Sequence, residues 1–207
     1  MTRPESSDIG ERPDAAAALR EQAAGLVPPR TIALVGLMGA GKTTVGRRLA
    51  HALDLPFADA DAEIVNAAGQ SIDTIFAEHG ECEFRRGERK VIARLLEGPV
   101  HVLATGGGAF IDPRTRELMK EHAISIWLKA PLEVLMKRVS KRGGRPLLKE
   151  DDPQAVMQRL MNERYPIYAE ADITIETSAG PHNVAVSAII DALRAYLRTP
   201  APETPHP

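Results

Sequence analysis

The sequence predicts an α/β fold in which a parallel sheet of about five strands is flanked by helices. Short apolar stretches rich in β-branched residues alternate along the chain with longer stretches of helical periodicity. The apolar stretches show no polar alternation, which is typical of strands that are buried on both faces. The chain of 207 residues fits one domain of ordinary size and can bury a substantial core. The sequence shows no internal repeat and no sign of a second domain.

The first half of the chain contains two predicted strands and four predicted helices. The strands are the apolar stretch 31–35 and a shorter one at 56–59. Helices are predicted where apolar residues recur on one helix face. Ser71 is a residue type that caps a helix N-terminus, and Gly98–Pro99 ends the last of these helices. The four helices are 45–53, 62–68, 71–79 and 81–96.

The second half contains three predicted strands, at 100–104, 124–128 and 173–175. Pro131 fits the first turn of a helix, where its missing N–H removes no hydrogen bond. The predicted helices are 113–122, 131–140, 153–170 and 182–197. Between two of them, residues 141–152 form a basic, glycine-containing stretch with the composition of a lid that closes over a ligand.

Both ends of the chain are predicted to be tails. Residues 1–29 are rich in Ala, Pro, Glu and Arg and lack the apolar core of a signal peptide. Their middle, 14–26, is expected to form only a transient helix. Residues 199–207 contain four prolines. The folded domain is therefore predicted to span 30–198.

Composition argues against several classes of partner. The net charge is −2, so no overall field attracts nucleic acid or an anionic membrane surface. No apolar run approaches the length of a membrane span. Cys82 is the only cysteine, which excludes an internal disulfide and favours a reducing compartment. A cytoplasmic location and a monomer are expected.

A glycine motif follows the first strand. Gly36-Leu37-Met38-Gly39-Ala40-Gly41-Lys42-Thr43 matches G-x-x-x-x-G-K-S/T between a strand and a helix. The glycines let successive backbone N–H groups point inward as an anion-binding nest, and the helix adds its positive N-terminal end. Lys42 can reach the β- and γ-phosphates, and the Thr43 hydroxyl can ligate Mg²⁺. A nucleotide site is predicted at Gly39, Ala40, Gly41, Lys42, Thr43 and Thr44.

Two further motifs follow predicted strands. Asp59-Ala60-Asp61 lies at a strand's carboxyl end, where open α/β sheets bind ligands. One aspartate can face a metal and the other a substrate; capping of the next helix is the alternative. Gly106-Gly107-Gly108 suggests that another group approaches the main chain closely at these glycines, with a plain tight turn as the alternative.

Three arginines stand beside apolar or glycine-rich residues. Arg85 follows Phe84, Arg145 lies in a Gly-Gly-Arg-Pro-Leu-Leu stretch, and Arg164 begins Arg-Tyr-Pro-Ile-Tyr. Each of them alone is more often a surface charge. As a cluster, their planar guanidinium groups could form bidentate hydrogen bonds with an anionic substrate and with the phosphoryl group during transfer.

Taken in order, these motifs closely resemble those of the shikimate kinase family. The motifs are Gly36–Thr43, Asp59–Asp61, Phe84–Arg85, Thr105–Gly108, Arg145–Leu148 and Arg164–Tyr168. The resemblance covers roughly 31–197. It implies a three-layer P-loop kinase fold with a five-stranded parallel sheet in the order 2-3-1-4-5 and a mobile lid. It also implies transfer of the γ-phosphoryl group of ATP to the 3-hydroxyl of shikimate, with Mg²⁺ as cofactor.

By similarity to this family, the acceptor site is formed by side chains and a glycine turn. Asp61 would hold ring hydroxyls, as a general base or only as a positioning group, and two arginines would hold the carboxylate. Glu88 could orient the first of them. The implied substrate-binding residues are Asp61, Arg85, Gly106, Gly107, Gly108, Arg164, Phe76 and Phe84.

The resemblance also assigns the nucleotide side. Arg145 would move onto the ATP phosphates, so that Lys42, Asp61 and Arg145 are the implied catalytic residues. Arg138 would lie beside the adenine. Thr43 would ligate Mg²⁺ directly and Asp59 through water. The stretch 178–182 has no arginine, so no late-chain adenine contact is assigned.

Three alternatives stay open at this point. A gluconate-type sugar-acid kinase shares the glycine motif and also needs a cation for a carboxylate. A nucleoside monophosphate kinase would need a further arginine set for a second phosphate. A catalytically silent, ligand-sensing kinase-like domain is the third, although Lys42, Thr43, Asp61 and Arg145 are all present.

Overall fold

A five-stranded parallel sheet forms the centre of the computed structural model, which describes residues 13–140 and 152–198. The strand order β2-β3-β1-β4-β5 confirms the order 2-3-1-4-5. The three inner strands are buried along most of their length because helices cover both faces, as their continuous apolar character predicts. The strands are β1 (Thr31–Val35), β2 (Phe57–Asp59), β3 (Val102–Ala104), β4 (Ala123–Lys129) and β5 (Ile173–Glu176).

Within the described ranges, eight helices surround the sheet, and a 3₁₀ turn at Ala109–Ile111 was not predicted. The helices predicted at 71–79 and 81–96 form one element, interrupted at Gly80, whose φ of 76° and ψ of 172° are not helical. The helices are α1 (Pro13–Ala23), α2 (Lys42–Leu53), α3 (Ala60–Ala68), α4 (Ile72–Leu96), α5 (Pro113–His122), α6 (Leu132–Ser140), α7 (Pro153–Tyr168) and α8 (His182–Arg198).

The N-terminal helix α1 corrects the prediction of a tail over residues 1–29. Residues 13–29 belong to the folded body, because Leu19, Ala23 and Leu26 are buried in the same core as the sheet. The helix packs on α2 and α8. Its apolar face is narrow, so composition alone gives a weak signal, and tertiary packing supplies the stability that an isolated short helix lacks.

Hydrogen bonds also join α1 to α8. The Arg194 Nη2 atom donates to the Gln22 carbonyl at 2.6 Å. Gln22 Nε2 in turn donates to Asp191 Oδ1 at 2.9 Å. The predicted tail segment 1–12, the tail 199–207 and most of the predicted lid, residues 141–151, lie outside the described residues.

The parallel topology brings the predicted motifs together. β1 and β2 both pair with β3, and Ala104 lies opposite Leu34 on one side and Asp59 on the other. The segments that follow these strands therefore leave the sheet at one edge. None of the helices that the structure describes combines the length and apolar character that a bilayer crossing needs.

We expect α1 to contribute measurably to stability. Leu19→Ala removes a side chain that is 7% exposed and should lower the free energy of unfolding by about 2–3 kcal/mol. Val27→Ala is the matched control, because Val27 is 82% exposed, and it should change stability by less than about 0.5 kcal/mol. Urea unfolding of both variants measures the difference; equal stabilities would show that α1 is not part of the core.

Candidate active site

The glycine loop between β1 and α2 adopts a backbone that only glycine tolerates well. Gly36 has a φ of 133°, and a Cβ atom there would lie 2.8 Å from the Leu128 carbonyl oxygen. Gly41, with a φ of 98°, is the N-cap of α2 and supplies no side-chain hydrogen bond to it. The first N–H groups of α2 are thus left to an anion, as the motif predicts.

Lys42, Thr43 and Thr44 form the first turn of α2, directly after the loop. The Lys42 Nζ atom donates to the carbonyl oxygens of Gly36 at 2.7 Å and Leu37 at 3.0 Å. The ammonium group is therefore held against the loop that is predicted to cradle the phosphates. This placement agrees with a point charge beside a phosphate chain.

The aspartate motif reaches the same place from β2. Thr43 Oγ1 donates to Asp59 Oδ2 at 2.8 Å, and Asp59 Oδ1 accepts from the Asp61 N–H at 3.1 Å. Asp59 thus caps α3, as the capping alternative predicts, and its other carboxylate oxygen accepts from the threonine that is predicted to ligate Mg²⁺. One polar hollow is lined by Met38, Gly39, Gly41, Lys42, Thr43, Asp59, Asp61, Thr105 and Gly107.

Arg85 is held by two carboxylates on its own helix, α4. Its Nη1 atom donates to Glu88 Oε2 at 2.7 Å, and its Nη2 atom donates to Glu81 Oε1 at 3.2 Å. Glu88 is only 2% exposed, and burial raises the pKa of its carboxyl group although Arg85 pulls it down. Glu88 therefore orients Arg85, as the resemblance suggested.

The glycine turn after β3 lies close to three other parts of the chain, and a Cβ atom at its first or last glycine would collide with a neighbouring side chain. A Cβ on Gly106 would lie 2.7 Å from Glu88 Oε1 and 2.9 Å from Asp61 Oδ1. A Cβ on Gly107 would lie 3.4 Å from the Met38 backbone nitrogen, and one on Gly108 would overlap the Arg85 guanidinium. The turn is therefore packed against the glycine loop after β1 and against the side chains of Asp61, Arg85 and Glu88, and it is not a plain surface turn.

Arg164, on α7, also contacts the turn. Its Nη1 atom donates to the Gly107 carbonyl at 3.2 Å. The hydroxyl of Tyr168 donates to the same oxygen, and burial raises the pKa of Tyr168 to about 12. Sequence reasoning did not assign Tyr168 to the site. The available signal was its position four residues after Arg164, on the same helix face.

Arg138 lies on the outer side of the glycine loop. Its Nη1 atom donates to the Ala40 carbonyl at 3.1 Å, and its Nη2 atom donates to the Ser178 carbonyl at 2.7 Å. Burial lowers the pKa of its guanidinium group. Beside it, the His182 ring lies 3.4 Å from the position of a Cβ on Gly41. His182 thus occupies the late-chain region in which the sequence offered no arginine.

Phe76 and Phe84 meet across the break in α4, with ring centroids 4.5 Å apart. Phe84 is buried, whereas Phe76 is 37% exposed. Of the predicted site residues, Arg145 alone lies outside the described ranges.

Comparison with known proteins agrees with the motifs. The family model described as shikimate kinase matches residues 38–194. A shikimate kinase of Caulobacter vibrioides is 59% identical over 165 residues, which are 80% of this chain and 82% of that relative. The structure of Acinetobacter baumannii shikimate kinase in complex with shikimate matches with a TM-score of 0.77 and 40% identity, over 80% of this chain and 93% of that one.

A gluconokinase from Sinorhizobium meliloti 1021 also matches in structure, with a TM-score of 0.56. The match covers 82% of this chain and 96% of the gluconokinase chain, at 18% sequence identity. At that identity the likeness shows the fold alone.

The contact between Gly108 and Arg85 can be tested by adding a single methyl group. Gly108 has a φ of −105° and a ψ of −11°, which alanine adopts without strain, so Gly108→Ala should fold and displace the Arg85 guanidinium. We expect the KM for shikimate to rise at least about tenfold, since a hydrogen bond to a charged group contributes roughly 1.5–3 kcal/mol.

Gly87→Ala is the matched control for that variant. A Cβ on Gly87, in α4, meets nothing within 4 Å. Gly87→Ala should leave the KM for shikimate unchanged and stabilise the helix by about 0.5–1 kcal/mol. An unchanged KM for shikimate in Gly108→Ala would show that Arg85 does not take part in acceptor binding.

Proposed function

Because the chain belongs to the shikimate kinase family, we propose that it transfers the γ-phosphoryl group of ATP to the 3-hydroxyl of shikimate. The products are shikimate 3-phosphate and ADP. One observation supports this most directly: the glycine loop for phosphates and a turn flanked by two arginines share one edge of the sheet. ATP and shikimate are the two small-molecule substrates.

On the nucleotide side, the backbone N–H groups of Gly39 to Thr44 and the Lys42 ammonium would bind the phosphates. Lys42 is already held by two loop carbonyls, so its charge needs little reorganisation during transfer. Arg145 would add a second positive charge on the γ-phosphoryl group. Arg138 and the neighbouring hollow that includes His182 would hold the adenine base.

On the acceptor side, Arg85 and Arg164, which both contact the turn Gly106–Gly108, would bind the shikimate carboxylate, while Phe76 and Phe84 would line the pocket. Asp61 would accept a hydrogen bond from the 3-hydroxyl and hold its oxygen in line with the γ-phosphorus. As the bond to ADP breaks, the new oxygen–phosphorus bond forms. The hydroxyl proton then passes late to Asp61, because a loose transition state needs no early deprotonation.

We also propose that Thr43 and Asp59 hold Mg²⁺, Asp59 through a water molecule. Their side-chain oxygens lie 2.8 Å apart and are the hard donors that this ion prefers. Among residues 13–140 and 152–198, no group of three His, Cys, Asp or Glu side chains could form a cage, so ATP oxygens and water would complete the coordination. When bound, the ion neutralises phosphate charge.

The alternatives fit less well. A gluconate-type kinase shares the fold, but the family match and the ordered motifs favour shikimate. A silent ligand sensor would not be expected to keep Lys42, Thr43 and Asp61 in contact with one hollow. The lone, exposed Cys82 suits the cytoplasm.

An acceptor panel tests the proposed reaction. The purified chain is supplied with ATP and Mg²⁺, and ADP release is followed with shikimate, gluconate, AMP or no acceptor. We expect turnover with shikimate only, and a fall in kcat of at least about a hundredfold in Lys42→Ala. Turnover with gluconate instead, or ATP binding without any turnover, would contradict the proposal.

The proposed metal site predicts a changed Mg²⁺ requirement in Asp59→Asn. The amide oxygen still accepts the bond from the Asp61 N–H, so α3 stays capped. The Mg²⁺ concentration for half-maximal rate should rise about 10–100-fold. Asp112→Asn is the control, since Asp112 caps α5 and is not among the residues that line the polar hollow. If the rate depends on Mg²⁺ concentration in the same way in both variants, Asp59 is not part of the metal site.

A further inference from the structure

Tyr168 is a fully buried residue that none of the expected roles uses. It ends α7 and is 0% exposed. Its hydroxyl donates to the Gly107 carbonyl oxygen, which also accepts from Arg164 Nη1 at 3.2 Å. One helix thus supplies two donors to a single backbone oxygen in the middle of the glycine turn.

The direction of this carbonyl determines the direction of its neighbours. In a planar trans peptide, the N–H of Gly108 points opposite to the C=O of Gly107. With the carbonyl held toward α7, that N–H is directed away from α7. The peptide also lies between Gly106, beside Asp61 and Glu88, and Gly108, beside Arg85. A rotation of Gly107 would therefore move the backbone against which these side chains pack.

The two donors are not equivalent. The Arg164 guanidinium carries a charge that suits the acceptor carboxylate, so it exchanges or shares its contacts when an anion binds. Tyr168 is neutral, and burial keeps its hydroxyl protonated far above neutral pH. Its ring is fixed by neighbours, with ring centroids 6.4 Å from Phe110 and 6.0 Å from Trp127. The hydroxyl can therefore hold the carbonyl while Arg164 serves the substrate.

We propose that Tyr168 is a positioning residue for the acceptor. Its hydroxyl fixes the Gly107 carbonyl and so holds the glycine turn in the orientation that lets Arg85 and Arg164 bind the shikimate carboxylate together. This inference rests on the proposed function, since it assumes that the turn belongs to the acceptor site.

Tyr168→Phe tests the proposal, with Tyr165→Phe as the matched control. Tyr165 lies one turn earlier on α7 and also donates to a backbone carbonyl, that of Ala130, at 2.6 Å. We expect Tyr168→Phe to raise the KM for shikimate about fivefold to tenfold and to leave the KM for ATP within about twofold. Tyr165→Phe should change neither KM, although thermal unfolding should show a comparable loss of stability in both variants.

A donor at the same position should restore binding. Replacing Tyr168 with 4-aminophenylalanine keeps the ring and an N–H donor, so the KM for shikimate should return to within about threefold of the native value. Should the phenylalanine variant fail to fold, 4-fluorophenylalanine at position 168 takes its place: it fills the volume of the hydroxyl without donating a hydrogen bond, and it should raise the KM for shikimate by the same factor. A lower melting temperature with an unchanged KM would overturn the proposal. Native protein that does not phosphorylate shikimate would overturn the proposed function instead.

Discussion

The site depends on the backbone contact between the glycine loop after β1 and the glycine turn after β3. Register pairs Leu34 with Ala104, and Thr105 then donates through both its N–H, at 3.2 Å, and its hydroxyl, at 2.9 Å, to the Leu34 carbonyl. A Cβ on Gly107 would lie 3.4 Å from the Met38 nitrogen. The glycine loop after β1 and the glycine turn after β3 are therefore joined through the sheet, which fixes their separation. Under the proposed function, this is the separation between the ATP phosphates and the acceptor.

Electrostatics at the glycine turn after β3 combine rigid positioning of one arginine with retained charge on the other. Glu88 holds the Arg85 guanidinium in place, but it also neutralises part of the charge that would attract a carboxylate. Its buried Oε1 atom has no hydrogen-bond partner among the described residues, and such an atom costs free energy that packing elsewhere must offset. Arg164 donates instead to a neutral carbonyl, which leaves its charge for the substrate under the proposed function. The two arginines thus contribute geometry and attraction in different proportions.

The sequence was most informative where chemistry is local. The glycine motif, the Asp59–Asp61 pair and the strand order followed from short patterns and from a family resemblance that links them. The helix α1 was underestimated because its buried residues are few, Leu19 and Ala23 with Leu26 just after it, and it packs on α2 and on the distant α8. The bond from Tyr168 to Gly107 spans 61 residues, and no local pattern reveals it. Long-range partners of this kind depend on the complete fold.

The fold cannot by itself decide between acceptors, because a sugar-acid kinase shares it. Under the proposed function, we expect the discrimination to depend on how Arg85 and Arg164 hold the carboxylate. Shikimate carries its carboxylate and its 3-hydroxyl on one rigid ring, so their separation is fixed, whereas an open-chain sugar acid adapts its shape. A rigid acceptor gains most from a clamp that does not move. Arg85 and Arg164 flank one turn whose central carbonyl is held from α7, and this arrangement meets that requirement.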